Sequence, residues 1–207
     1  MDSLAEGQLH YIDRLPAEPT VPLAFGKAIH SVLEHLLAEA VEQEHVGVLS
    51  EERALELLQQ AWQGPALSGI ELFSEALSIL RSFVRQQGVV DSRDVLGIEK
   101  EFRLTAGRFT VVGYIDRVDQ IGPESIEILD YKTNHVLFSC EEVDSSLQLS
   151  LYQLAAQRLW PWAKQIKLTF HMLRHGVRQS TTRTAEQLAD ALRYVETLGV
   201  QSEAATT

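Results

Sequence analysis

The segment GYIDRVDQIGPESIEILDYKTN, residues 113–134, constrains the fold and the chemistry of this chain more than any other. It contains two β-type runs around a Gly122-Pro123 turn, which is the pattern of an antiparallel hairpin. Because side chains alternate along a strand, Asp130 and Lys132 lie side by side on an otherwise apolar face. Asp116 closes the first run, also on an apolar face, where a carboxylate is costly unless it is paired or bound to a cation.

These three charges predict a divalent metal site at one end of the hairpin. Carboxylate oxygens are hard ligands that suit Mg²⁺ or Mn²⁺ better than zinc, and the backbone carbonyl of Tyr131 could add a further ligand. Such a cation can activate water for attack on a phosphoryl group, and Lys132 could orient that water or stabilise the developing charge. Two simpler interpretations stay open from the hairpin alone: Asp116 as a carboxylate at a solvated strand end, and Asp130–Lys132 as a surface ion pair.

The rest of the chain has the order of a single α/β domain. We predict helices over residues 23–41, 50–62, 69–87, 145–159 and 185–198, and strands over 95–104, 108–120, 125–133, 164–174 and 177–183. This order predicts a mixed central sheet flanked by helices, with an N-terminal helical portion. The expected domain covers residues 23–200, after an extended lead-in at 1–22 and before a disordered tail at 201–207.

The composition limits which partners, metal sites and cellular locations we expect for this protein. The chain carries 18 Lys and Arg against 29 Asp and Glu, a net charge of −11, which argues against a broad nucleic-acid-binding surface but does not exclude a nuclease. The single cysteine, Cys140, excludes an intramolecular disulfide and any four-cysteine zinc or iron–sulfur site. Because the sequence has neither a membrane-length apolar run nor a signal peptide, we expect a cytoplasmic protein that makes no membrane contact.

Two further helices carry candidate site residues, each of which also has a simpler interpretation. His30, four residues after Gly26, lies beside an apolar helical stripe and taken alone is a core histidine. The small Gly26 would let a neighbouring element approach that helix closely. Gln148 and Tyr152 share one helix face at i, i+4, although Gln148 also fits a capping box in the run Ser-Ser-Leu-Gln.

Four short motifs in this order resemble the RecB-type nuclease domain of the PD-(D/E)XK superfamily. The motifs are GKAIH (26–30), GYIDRVD (113–119), DYKT (130–133) and QLSLY (148–152), followed by an LRHG hairpin at 173–176. Any one of them alone is weakly specific, whereas all four in the family's order and spacing are strongly specific. The resemblance covers residues 23–191 and implies a restriction-endonuclease-like α/β core.

The resemblance also implies a role for each motif residue. Four groups would bind Mg²⁺ or Mn²⁺: the side chains of His30, Asp116 and Asp130, and the carbonyl of Tyr131. Lys132 would be the catalytic lysine, while Gln148 and Tyr152 would support the site by contacting the DNA strand or orienting the lysine. A strand of the superfamily that often carries a glutamate corresponds to Glu99 or Glu101, and the choice between these two stays open, as does a merely solvated strand face for both.

At the level of function, the resemblance implies a metal-dependent deoxyribonuclease that hydrolyses phosphodiester bonds. The family-level expectation is an exonuclease acting on DNA ends or single strands in recombination or repair, with DNA and a helicase or another repair subunit as partners. Two departures matter: Cys140 alone cannot hold the iron–sulfur cluster of many relatives, and the chain has no G-x-x-x-x-G-K-[ST] motor loop. Relatives have further helix upstream, so we expect a minimal stand-alone nuclease or a domain of a longer protein.

Two other functions remain as alternatives. A catalytically weak DNA-binding or scaffolding subunit of a helicase–nuclease complex would fit the net charge of −11. Such a subunit, however, would be free to lose Asp130 or Lys132, and both are present. A metal-dependent phosphoesterase acting on small substrates fits less well, because the sequence has no Gly-rich phosphate cradle.

Overall fold

The computed structural model describes residues 7–10 and 20–206. Within these residues the helices are α1 (Val21–Glu42), α2 (Glu51–Ala61), α3 (Ile70–Gln87), α4 (Cys140–Ser145), α5 (Leu147–Leu159) and α6 (Ala185–Thr206). The strands are β1 (Gly7–His10), β2 (Val46–Val48), β3 (Val89–Asp91), β4 (Val95–Ala106), β5 (Phe109–Gly122), β6 (Ser125–Lys132), β7 (Gln165–Met172) and β8 (Val177–Thr181). None of the helices in this part of the chain is long and apolar enough to cross a bilayer.

Six of the strands form one mixed sheet. β4 runs antiparallel along one edge of β5, and the other edge pairs with β6 in antiparallel and with β1 in parallel. β7 then adds to β6 in parallel, and β8 adds to β7 in antiparallel. A parallel neighbour needs a crossover, and α4 and α5 supply it between β6 and β7. The two predicted hairpin connections, β4 to β5 and β5 to β6, are confirmed.

Two apolar cores hold the helices against the sheet. One core joins α1, α2 and α3, and it takes in Tyr131 and Leu173 from the sheet side. The other core packs α5 and α6 against the sheet face that carries Ile126 and Ile128. Because neighbouring residues on a strand point to opposite faces, the end of β6 contributes to both cores. The position of this strand end is therefore determined from both sides.

The early helices begin and end where the sequence predicts. α2 starts after Ser50, whose hydroxyl accepts a hydrogen bond from the backbone N–H of Arg53 at 3.1 Å, as expected of an N-cap. α3 stops at Gly88, which has a φ of +66° and can take this left-handed conformation without a Cβ clash. α1 carries Pro22 in its first turn, where a missing N–H costs nothing.

The capping box forms at a different place from the one predicted. Ser139 and Glu142 build it at the start of α4, with hydrogen bonds of 2.6 Å and 3.1 Å between each backbone N–H and the opposite side chain. Ser146 then caps α5 by accepting from the N–H of Leu149 at 3.3 Å. Since neither cap uses Gln148, its amide is available to the site described below.

Regular secondary structure extends beyond residues 23–200 at both ends. Most of the lead-in at 1–22 lies outside the described residues, but its described parts form β1 and the start of α1. At the other end α6 continues to Thr206, through residues predicted to belong to the tail that begins at residue 201. The predicted helix over residues 185–198 ends just before Gly199, and a glycine commonly follows the last residue of a helix. Here a Cβ at Gly199 would overlap the Phe109 ring, so the glycine serves close packing and α6 runs through it.

A buried arginine anchors the junction between α4 and α5. Arg183 is 8% exposed, and its Nε donates to the Ser150 hydroxyl at 2.8 Å. One terminal nitrogen donates to the carbonyls of Val143 at 2.9 Å and Ser146 at 3.1 Å. The two carbonyls also accept backbone N–H groups, of Ser146 at 3.4 Å and of Ser150 at 3.2 Å, so the arginine adds a charged donor where α4 ends and α5 begins. Holding this junction also holds the first turn of α5, which carries Gln148.

Replacing Arg183 with alanine should lower the free energy of unfolding by about 3 kcal/mol, because the buried hydrogen bonds from its charged guanidinium to Ser150, Val143 and Ser146 are lost. Arg193→Ala is the matched control, since Arg193 is exposed on α6 and its ion pair with Asp190 should contribute less than about 1 kcal/mol. Urea unfolding followed by circular dichroism measures both changes. A loss for Arg183→Ala no larger than that of the control would contradict the anchoring role.

Candidate active site

The candidate site forms where β5 and β6 separate. Ladder pairing between these strands stops one residue short of Asp116 on β5 and of Asp130 on β6. Beyond that point the backbone N–H of Tyr131 donates to Oδ2 of Asp116 at 2.7 Å rather than to a strand carbonyl. The carbonyl of Tyr131 lies 2.8 Å from Nε2 of His30. Both backbone groups of Tyr131 that would face β5 are therefore directed at side chains of the site.

This geometry corrects one detail of the sequence prediction. Asp116 does not close its strand, since β5 continues to Gly122. Asp116 instead lies where the pairing between β5 and β6 ends. Its carboxylate therefore still lies at the end of the paired region, as predicted. The predicted faces of β6 are confirmed, because Asp130 and Lys132 lie together and form an ion pair of 2.8 Å.

β4 brings a second carboxylate to Asp116. The register between β4 and β5 places Glu99 opposite Asp116. Glu99 has a φ of +43°, a left-handed conformation that costs a non-glycine residue of order 1 kcal/mol and that is found mostly at functional sites. Ligand atoms of His30, Glu99 and Asp116 all lie within 4.8 Å of one another. We refer to these three residues as the acidic cluster.

Glu101, the other glutamate considered from the sequence, has different partners. It accepts a hydrogen bond from Nε of Arg103 at 2.9 Å and one from the hydroxyl of Tyr114 at 3.3 Å. Ligand atoms of Glu101 are not part of the acidic cluster. The geometry therefore favours Glu99 as the glutamate of the site.

His30 reaches the site because α1 approaches the end of β6 closely. A Cβ on Gly26 would lie 3.2 Å from Oγ1 of Thr133, which is tighter than ordinary packing, so a larger residue would push the helix away. One turn later His30 places Nε2 at the Tyr131 carbonyl and Nδ1 at 3.6 Å from Oδ2 of Asp116. The close approach that Gly26 predicts is present, and His30 is not a core histidine.

Asp130 is enclosed by three donors. Its side chain is 3% exposed, and Oδ2 lies 2.8 Å from Nζ of Lys132. Oδ1 accepts hydrogen bonds from Nε2 of Gln148 at 2.8 Å and from the hydroxyl of Tyr152 at 3.1 Å. Oε1 of Gln148 in turn accepts from Nζ of Lys132 at 2.9 Å. The glutamine thus links the aspartate to the lysine, and the shared helix face of Gln148 and Tyr152 supplies both contacts.

Negative charge accumulates between the strands. Burial raises the pKa of Asp116 well above its usual range, and the carboxylates of Asp130 and Glu99 add to this, against the Tyr131 N–H and Lys132. A divalent cation is the simplest counter-charge for such a group of carboxylates. The donors present are an imidazole nitrogen, carboxylate oxygens and a backbone carbonyl, a set that can bind a divalent metal.

One cleft contains all of the predicted site residues. It has a volume of about 1090 Å³. The predicted residues that line it are His30, Asp116, Asp130, Tyr131, Lys132, Gln148 and Tyr152. Glu99 lines it as well, so the strand position left open in the sequence belongs to the same site.

Sequence reasoning missed the role of Arg174. Its Nε donates to the carbonyl of Thr133 at 2.5 Å, its guanidinium lies 4.5 Å from the centre of the Phe25 ring, and it forms an ion pair with Glu75. The arginine therefore joins α1, α3 and the chain that follows β6 at the cleft wall. Its position in the LRHG motif was the only indication in the sequence.

Asp119, the second aspartate of the GYIDRVD motif, does not line the cleft. It lies within β5, and its carboxylate forms a 2.7 Å ion pair with Arg117, whose side chain is 3% exposed. Alternation places this pair on the sheet face opposite Asp116. The charges of the GYIDRVD motif are therefore divided between the cleft and the back of the sheet.

Comparison with known proteins decides the family. The model of the PD-(D/E)XK nuclease superfamily matches residues 8–206. The chain belongs to the PD-(D/E)XK nuclease superfamily. This confirms the predicted restriction-endonuclease-like fold class, and nucleases of this superfamily use divalent metals, for which the acidic cluster is a candidate site.

Two other comparisons add little to this assignment. Among proteins with curated descriptions, no match is found. The solved structure of a "Putative exonuclease" from Eubacterium rectale is similar to this PD-(D/E)XK protein, with 12% identity and a TM-score of 0.48. The alignment covers 89% of this chain and 66% of that one, so this chain spans just under two thirds of the length of that structure.

The geometry of the acidic cluster predicts that Glu99 contributes to metal affinity and that Glu101, on the same strand, does not. Glu99→Gln should weaken Mn²⁺ binding about 10-fold or more, because it removes a charged ligand atom next to Asp116. Glu101→Gln should leave the affinity within about 2-fold, since that carboxylate is held by Arg103 instead. Isothermal titration with Mn²⁺ measures both. Equal affinities for the two variants would place the metal elsewhere.

Proposed function

We propose that this protein is a Mg²⁺- or Mn²⁺-dependent deoxyribonuclease of RecB type that hydrolyses phosphodiester bonds at DNA ends or in single strands. One observation carries the proposal: an ion-paired lysine, Lys132, lies in the same cleft as the carboxylates of Asp116 and Asp130. Membership in a nuclease superfamily supports hydrolysis of a phosphodiester. DNA as substrate, and a place in recombination or repair, follow from the RecB-type motifs.

A defined set of residues would hold the cation. His30, Asp116 and the carbonyl of Tyr131 would bind it, with Asp130 beside them and Glu99 as an additional carboxylate. When bound, the cation supplies Lewis-acid charge that activates water and neutralises a phosphate oxygen. The fit rests on the shared position of these donors and on the accumulated negative charge around Asp116.

Lys132 is held where it can stabilise charge on the phosphate. Its Nζ lies 2.8 Å from Oδ2 of Asp130, 2.9 Å from Oε1 of Gln148 and 5.1 Å from the centre of the Phe170 ring. Its side chain is 21% exposed, so the ammonium is ordered by the protein yet reachable from the cleft. A preorganised cation in such a position stabilises the charge that develops in the transition state of phosphoryl transfer.

Gln148 and Tyr152 act through Asp130 and Lys132. Burial raises the pKa of the Tyr152 hydroxyl well above its usual range, with Asp130 and Asp116 adding to the shift, so the hydroxyl stays a donor to Asp130. Gln148 accepts from the lysine and donates to the aspartate, which sets the distance between the two charges. We therefore assign both residues a positioning role.

Net charge bears on how DNA reaches the cleft. A charge of −11 opposes long-range attraction of a polyanion. We propose that a partner, such as a helicase or another repair subunit, delivers the DNA, and that the protein acts in the cytoplasm. The scaffolding alternative shares this dependence on a partner, but it leaves the retained set of Asp116, Asp130 and Lys132 unexplained.

Lys132→Met should reduce cleavage about 100-fold or more while leaving the fold intact, since a side chain of similar length loses the charge that stabilises the phosphate. Asp116→Ala and Asp130→Ala should abolish cleavage. Lys164→Met is the control, because Lys164 precedes β7 at the opposite end of β6 and its side chain is 70% exposed. The assay follows end-labelled DNA with Mg²⁺ or Mn²⁺. Retained activity in purified Asp130→Ala would contradict the assignment.

The choice of substrates separates the remaining functions. Linear single strands, linear duplexes, closed circles of both kinds and RNA should be digested in parallel. Degradation of linear DNA with circles left intact identifies an exonuclease, and cutting of circles identifies an endonuclease. DNA binding without cleavage of any substrate, in the presence of either metal, would support the scaffolding subunit instead.

A further inference from the structure

An exposed aromatic side chain lies beside the acidic cluster. Tyr114 precedes Asp116 by two residues on β5, so both project from the same strand face with Cα atoms about 7 Å apart. Tyr114 lines the same cleft and is 43% exposed. Two other aromatic residues that line the cleft, Phe102 and Tyr152, are each 4% exposed, and their rings pack against each other. Tyr114 therefore presents an exposed ring to the cleft, whereas these two rings are buried.

Contacts at both ends of the side chain hold Tyr114 in place. Its hydroxyl donates to Oε2 of Glu101 at 3.3 Å, and Oε1 of Glu101 accepts from Nε of Arg103 at 2.9 Å. The preceding residue, Gly113, packs directly on Phe102, because a Cβ there would lie 2.6 Å from the Phe102 ring. A side chain tethered at its tip and at its backbone loses little entropy when a ligand binds.

The cleft has few cations for the DNA backbone. Among the described residues that line it, three carry a Lys or Arg charge: Lys27, Lys132 and Arg174. Five carry a carboxylate: Glu34, Glu75, Glu99, Asp116 and Asp130. Two of the cations are already ion-paired inside the cleft, Lys132 with Asp130 and Arg174 with Glu75. Contacts to phosphates can therefore supply only a small part of the affinity, and contacts to bases must supply more.

We infer that Tyr114 stacks on an unpaired base next to the phosphate held at the acidic cluster, and that this contact makes the enzyme prefer single-stranded or frayed DNA ends. The inference rests on the proposed nuclease function. Aromatic side chains bind single strands by stacking because every base has a π-face, whereas the bases of an intact duplex already stack on each other. An acidic protein gains most from such a contact, since stacking does not depend on positive charge.

Steady-state cleavage of matched single-stranded and blunt duplex substrates tests the inference. Tyr114→Leu should raise KM for the single strand about 5- to 100-fold with kcat nearly unchanged, while cleavage of the duplex changes little. Tyr114→Phe should keep the preference, since the ring remains. Tyr194→Leu is the control, because Tyr194 is also an exposed tyrosine, at 55%, but does not line the cleft.

An abasic substrate tests stacking from the DNA side. When single abasic sites are scanned along the single-stranded oligonucleotide, one position should raise KM of the wild type by the same factor as Tyr114→Leu. At that position Tyr114→Leu should show no further loss, because the two changes remove one contact.

The possible failures can be told apart. An active wild type whose strand preference survives Tyr114→Leu would overturn the inference alone. A Tyr114→Phe variant as impaired as Tyr114→Leu would also overturn it, since the hydroxyl and not the ring would then matter. A wild type that cleaves no DNA would overturn the proposed function and the inference with it.

Discussion

The hydrogen bond from the Tyr131 N–H to the Asp116 carboxylate is the interaction on which the site depends. It replaces a ladder bond at the point where β5 and β6 part, so the strands can separate without leaving a buried N–H unpaired. The separation directs the Tyr131 carbonyl at His30. The same bond holds Asp116 in a buried position, and burial, together with the nearby charges of Asp130 and Glu99, raises the pKa of Asp116. The sheet therefore holds several carboxylates close together, and a divalent cation would reduce the repulsion between their charges.

The elements around this bond are held from both sides of the sheet. On the cleft side, α5 supplies Gln148, and Arg183 holds the junction from which α5 starts. On the back, Arg117 pairs with the carboxylate of Asp119 and lies 3.3 Å from Oε1 of Gln87 on α3. Because side chains alternate along β5, Asp116 lies in the cleft while Arg117 and Asp119 lie on the opposite face of the sheet. The placement of Asp116 therefore depends on the packing of both layers.

Alternation and motif order predicted the parts that follow regular geometry. The faces of β6, the helix face of Gln148 and the close approach at Gly26 all come from fixed periods or a missing Cβ. The choice between Glu99 and Glu101 could not be predicted, because a φ of +43° at Glu99 breaks the alternation on which such a choice relies. The continuation of α6 through Gly199 depends likewise on the Phe109 ring, a contact distant in sequence. The features that the sequence did not predict, the φ of Glu99 and the continuation of α6, both concern local backbone geometry rather than a regular period.

The acidic cleft bears on how the proposed nuclease, with a net charge of −11, would contact DNA. Carboxylates placed to bind a divalent cation also repel phosphates, so the protein alone presents an unfavourable surface to the DNA backbone. Neutralisation of the cluster by a cation removes that repulsion only at the reacting phosphate. In the proposed function, DNA elsewhere on the surface would meet uncompensated negative charge. Under the proposed function, net acidity would favour contact at the site of chemistry over non-specific binding, and the proposed base contacts and partner protein would supply the affinity that the surface lacks.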